Sequence, residues 1–179
     1  MTPQTAPAPS LLDLPPRSVL TVDGRGAPDD PPFTAAVRAL FAVRAALGAR
    51  DDVPLEGSYS QFDESGHDDP TRFDLHDPAG WQWRLLVPAP ESAGADAVLT
   101  AADRFGAPVV LRVQASRLVA QLPHHGPYAD EEPSLRALYA FVSERGLLPV
   151  GPHTEVYLTD PGSVVPAELR TLLQVPVRR

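Results

Sequence analysis

The chain has 179 residues, with 15 basic side chains against 23 acidic ones and a net charge of −8, so it lacks the basic stripe that a nucleic-acid binder needs. Every basic residue is an arginine and there is no cysteine, which excludes lysine Schiff-base chemistry, disulfides, thiolate nucleophiles and cysteine zinc sites. The length suits one domain or two closely packed halves, and no stretch approaches the roughly 18–20 apolar residues of a membrane helix. A cytoplasmic protein is the expectation.

Residues 1–16 read as a disordered lead-in, because Met1 to Ser10 holds three prolines and no apolar run. Arg17 to Val22 is a short strand, stopped by Asp23-Gly24-Arg25-Gly26. Asp30, followed by Pro31 and Pro32, marks a helix start, and Phe33, Val37, Leu40, Phe41 and Leu47 recur at helical spacing up to Gly48. Strands follow at Leu55 to Phe62 and Trp81 to Val87, separated by an acidic, proline-bearing loop from Asp63 to Gly80. A connecting helix from Ala93 to Phe105 ends at Gly106. Two strands, Val109 to Gln114 and Arg117 to Leu122, precede a second helix that starts near Asp130 and stops at Gly146. Glu131 and Glu132 lie in its first turn, where the helix dipole favours negative charge. Thr154 to Thr159 and Leu172 to Val175 close the pattern as strands, with a helical turn at Pro166 to Leu169 between them.

One pentapeptide occurs twice. Arg-Ala-Leu-Phe-Ala at 38–42 returns as Arg-Ala-Leu-Tyr-Ala at 136–140, and the same offset pairs Gly48 with Gly146, Pro54 with Pro152 and Tyr59 with Tyr157. The self-match predicts an α+β fold of two pseudo-symmetric β-α-β-β units, one over 17–90 and one over 109–179, joined through a connecting helix in 91–108. Two such units leave a cleft between them, where ligands tend to sit.

Strand alternation puts Glu155 and Tyr157 on one face and Val156 and Leu158 on the other. With the aliphatic pair placed under the helices, Glu155 and Tyr157 turn to the opposite face and into the cleft; an ordinary solvated strand position is the alternative for Glu155. Trp81 and Trp83 share one face of a strand and could form a flat wall for planar or cationic ligands, with core packing as the alternative. Tyr59 and Tyr128 are the further candidate walls. His124, His125 and His153 make a poor metal signature, and the acidic loop lacks calcium-loop spacing, so no metal and no cofactor are expected. Gly24-Arg25-Gly26 is not a dinucleotide loop.

From Leu118 onward the chain resembles the gyrase-inhibitor-like (GyrI-like) small-molecule-binding family. The matching text is HHGPYADEEPSLRALYAFVSERG, HTEVYLTDP and PAELRTLLQVPV, and the stretches VPLEGSYSQF and WQWRLLVPAP fit the first half of free-standing members. The resemblance implies two β-α-β-β units around a ligand cleft, with the cleft glutamate at Glu155 and the aromatic strand at Trp81 and Trp83. It also implies a free-standing member that binds planar, lipophilic small molecules, whether cationic or neutral, or else a hydrolase of cyclopropane-bearing natural products, or a gyrase- or partner-binding module without a ligand. As a hydrolase it would use Glu155 to activate water, with Tyr157 assisting. The chain departs from close free-standing relatives at Ser58-Tyr59, where they carry a tryptophan, and at Thr154, where they carry a second histidine. The expected partner is a small molecule, with no direct nucleic-acid or membrane contact; the oligomeric state is not legible.

Overall fold

The computed structural model describes residues 7–62, 68–69, 74 and 76–179. Most of the acidic loop expected at 63–80 therefore lies outside the described residues. The strands are β1 (Ser10–Leu14), β2 (Arg17–Arg25), β3 (Leu55–Phe62), β4 (Asp68–Asp69), β5 (Trp81–Pro88), β6 (Val110–Gln114), β7 (Arg117–His125), β8 (Leu148–Pro149), β9 (His153–Tyr157) and β10 (Arg170–Arg178). The helices are α1 (Pro31–Ala46), α2 (Ala95–Arg104) and α3 (Glu132–Glu144).

The strands form one antiparallel sheet, curled into a half-barrel, in the order β1-β7-β10-β9-β3-β5-β2-β6, with β4 on β3 and β8 on β10. Read from either end, the order is the same plan. Each half contributes an outer strand, the strand before its helix, the last strand of its unit and the strand after its helix. The outer strands are exchanged: β1 pairs with β7 of the second half, and β6 pairs with β2 of the first. The halves meet where β3 pairs with β9, Leu55 facing Tyr157, Gly57 facing Glu155 and Tyr59 facing His153. Because Tyr59 and Tyr157 are equivalent positions, as are Leu55 and His153, the pseudo-dyad passes through the Gly57–Glu155 pair.

β1 corrects the expectation of a disordered lead-in over 1–16. Ser10–Leu14 is a regular strand, paired from Ser10 with Gln121 to Leu14 with Arg117, and Leu11 packs against the apolar cluster of the second half. Its partner lies far away in sequence, so no local pattern announces it.

All three helices lie on one face of the sheet. The faces of α1 and α2 that carry Ala36, Leu40, Val43, Val98 and Ala102 cover Leu20, Val22, Leu85 and Val87 in one apolar cluster. Leu135, Leu138 and Val142 of α3 cover Ala120, Leu122, Leu173 and Val175 in a second. The other face carries ion pairs, Arg84 with Asp23 at 2.5 Å and Arg17 with Glu56, and a Ser58–Thr154 hydroxyl contact at 3.0 Å. No helix among the described residues is long and apolar enough to cross a membrane.

Candidate functional site

The two apolar clusters do not merge. At the seam, on the helix side of β3 and β9, sit Tyr59, His153, Glu155 and Tyr157. This reverses the face expected for Glu155 and Tyr157. The register with β3 and β10 sets it: Glu155 lies opposite Leu173 of the second apolar cluster, while Val156 pairs with Glu56 and Leu172 across the other face, and Leu158 is exposed. Val156 is buried without a helix above it, so alternation alone points the wrong way. Glu155 is only 6% exposed, which removes the solvated-strand alternative.

The tryptophans are also on the helix side, not opposite it. Trp83 is 4% exposed, lies over Gly24 on the neighbouring strand and meets the Phe33 ring edge-on at 5.3 Å and 74°. It belongs to the core under α1, which corrects its expected role as an open cleft wall. Trp81 is equally buried. Its indole N–H donates to the Asp74 carbonyl at 2.8 Å, and its ring stands 5.3 Å from that of Tyr59, so it backs the seam through the tyrosine.

Within the seam the hydroxyls and carboxylates form a chain. Tyr157 donates to Glu155 Oε2 at 2.8 Å, and Tyr59 and Tyr157 share a hydroxyl–hydroxyl hydrogen bond. His153 Nε2 lies 3.3 Å from Glu155 Oε1. Gly57 makes this arrangement possible: a Cβ there would lie 2.5 Å from the Tyr59 hydroxyl oxygen. Tyr128, in the helical turn Tyr128–Asp130 before α3, packs its ring edge-on against Tyr157 at 5.6 Å and 83°. Both of these tyrosines are partly exposed and form the outer rim, whereas Tyr59, at 1% exposure, is the floor.

One residue of the cluster is absent from the sequence-based candidates. Glu131, the N-cap of α3, is 0% exposed. Neither of its carboxylate oxygens has a hydrogen-bond partner of good geometry among the described residues, nor does the equally buried Thr171 hydroxyl beside it. Read from sequence, Glu131 and Glu132 serve the helix dipole equally. In the fold Glu132 takes a surface role, accepting from Arg136 at 2.6 Å, and Glu131 turns inward. Donor atoms of Glu131, His153 and Glu155 lie within 4.8 Å of one another, and no arginine among the described residues pairs with either carboxylate. This is the grouping among the described residues with a metal-type donor set. Both oxygens of Glu155, however, are already engaged by His153 and Tyr157.

Burial, with Glu155 close by, pushes the Glu131 carboxyl up to about 9. Burial first, then the neighbouring carboxylates, pushes Tyr128 up to about 12 and raises Tyr59 and Tyr157 well above the phenol range. The three phenols are neutral donors at pH 7. His124 has a different task, bonding Ser134 Oγ at 3.0 Å and the Pro127 carbonyl at 3.2 Å, which fixes the turn that aims Glu131.

Residues 90–178 match the model of the GyrI-like small molecule binding domain. The second half of the chain belongs to the GyrI-like family. No curated protein matches the chain in sequence. Among solved structures, an uncharacterized conserved protein from Listeria innocua is similar, with a TM-score of 0.83 and 24% identity over 98% of this chain and 94% of that one. A hydrolase from Listeria innocua has a TM-score of 0.78 and 23% identity over 97% and 93%. SAV2435 bound to tetraphenylphosphonium has a TM-score of 0.51 and 12% identity over 95% and 93%. These likenesses cover both halves and establish a shared fold, GyrI-like throughout.

Proposed function

We propose that the chain binds lipophilic, planar or aryl-bearing cations in the seam between its two halves, with Glu155 as the charged anchor. The reading rests on one observation above others: Glu155 is buried on the pseudo-dyad, held by two donors, with no arginine among the described residues to neutralise it. A buried carboxylate without a counter-charge is costly for a fold and is matched by a cation that arrives from outside. Tyr128 and Tyr157 at the rim offer ring faces and edges to such a guest, Tyr59 backs it, and Trp81 supports Tyr59 from behind. A protein of the same fold is known bound to tetraphenylphosphonium, an aryl cation. A module that only docks a partner protein would have no use for this polar cluster in its centre.

Binding of tetraphenylphosphonium, set against a neutral compound of similar shape, tests this. Glu155→Gln should weaken the cation by about tenfold, or 1.4 kcal/mol, and leave the neutral compound unchanged. Equal losses for both compounds, or none, would remove Glu155 as the anchor.

A second reading, hydrolysis of an electrophilic natural product, is favoured by His153 Nε2 standing 3.3 Å from Glu155 and by the hydrolase among the proteins of this fold. Glu155 would take a proton from water as the water oxygen bonds to a cyclopropane carbon. The ring C–C bond breaks and its electron pair passes to a conjugated carbonyl, whose oxygen accepts a hydrogen bond from a tyrosine hydroxyl. The proton on Glu155 then returns to that oxygen. In this case Glu155→Gln abolishes turnover while binding persists.

A further inference from the structure

We propose that Glu131 and Glu155 act as one carboxyl pair, which holds a single proton in the empty protein and gives it up when an organic cation is seated, making Glu131 a second anchor of the site. This rests on the cation-binding reading above and adds to it a residue and a proton exchange.

The geometry makes the case first. The two carboxylates come from different elements, the N-cap of α3 and the centre of β9, and they converge within 4.8 Å at 0% and 6% exposure. Two carboxylates so close and so buried, with no guanidinium against them among the described residues, do not both stand ionised. The hydrogen bonds say which keeps the proton. Glu155 accepts from Tyr157 and lies beside His153, and donors favour its charged form. Glu131 has only the Thr171 hydroxyl to favour its anion, through a contact of poor geometry, and burial and Glu155 outweigh it, so its carboxyl is raised. The groups that bear on the pair from every side are His153 and Tyr157 on β9, Tyr59 on β3, Tyr128 in the turn before α3 and the Thr171 hydroxyl on β10. The phenols are neutral, so beside the His153 ring, charged only when protonated, the shared proton is the positive partner that this centre holds for itself. A permanent cation brought against Glu155 replaces it.

Infrared spectroscopy of the ligand-free protein at pH 7 should show the carbonyl stretch of a neutral carboxylic acid, absent in Glu131→Gln. Tetraphenylphosphonium carries no proton of its own. Its addition should remove that band and release up to one proton per site, read from the dependence of binding enthalpy on buffer ionisation. Glu131→Gln should bind the cation more weakly than the wild type and release no proton. If that variant fails to fold, titration of the wild-type band serves instead: it should persist past pH 7 and vanish near about 9. A wild-type protein that binds the cation and keeps its proton overturns the proposal while leaving the binding function in place; one that binds no cation overturns both. Stoichiometric uptake of zinc that removes the band and depends on Glu131 would also overturn it, in favour of a metal centre.

Discussion

Trp83→Ala should cost the fold about 3–5 kcal/mol, the largest loss expected of any single truncation in the chain. The indole is nearly enclosed, covers Gly24 on β2, meets Phe33 of α1 edge-on and belongs to the cluster that seats α1 on the first half. No smaller residue can fill that volume, because a side chain at Gly24 would have to grow into it from the neighbouring strand at the same moment. Urea unfolding of the variant gives the number directly. A stable variant with weakened ligand binding would return Trp83 to the role of a ligand wall.

The second large effect is a pH dependence that belongs to Glu131. In the folded protein its proton is held up to about 9, whereas in the unfolded chain it leaves near the ordinary 4.5. Between those limits the folded state binds more protons than the unfolded one, so stability falls as pH rises. The slope approaches about 1.4 kcal/mol per pH unit, which accumulates to about 4 kcal/mol between pH 5 and pH 8. Glu131→Gln has the shape of the neutral acid and no proton to lose. The variant should match the wild type near pH 5 and exceed its stability by about that amount at pH 8. Taking the difference between the two proteins removes the other titrating groups. Parallel stability curves would mean that Glu131 titrates alike in both states.

Much of the architecture was legible because it is written in local pattern. β3 begins and ends where alternation and the flanking turn residues place it, and α1 follows its Asp-Pro-Pro start. The twin pentapeptides fall on α1 and α3, on either side of the seam. What escaped is set by long-range pairing. β1 has no local signature that separates it from a proline-rich tail, since its partner β7 is more than half the chain away. Alternation divides β5 and β9 into two faces but does not say which one the helices cover. Placing Val156 under the helices therefore puts Val156, Glu155, Tyr157 and the two tryptophans on the wrong sides, and it is the β3–β9 register that joins Tyr59, Tyr157 and Glu155 in one hydrogen-bonded chain. Glu131 could not be seen at all, because a glutamate at a helix start already has a sufficient reason to be there. Only the turn at Tyr128–Asp130, fixed by His124, aims it inward.

A crystal structure of the protein with tetraphenylphosphonium is the sharpest check on Glu155 as the anchor. The expected placement is at the seam, with the phosphorus over the Glu155 carboxylate, Tyr128 and Tyr157 turned aside as the rim and Tyr59 behind it. A cation seated instead on the opposite sheet face, in the cavity of about 440 Å³ lined by Asp23, Ser58, Gln82, Arg84, Arg117 and Thr154, would contradict it.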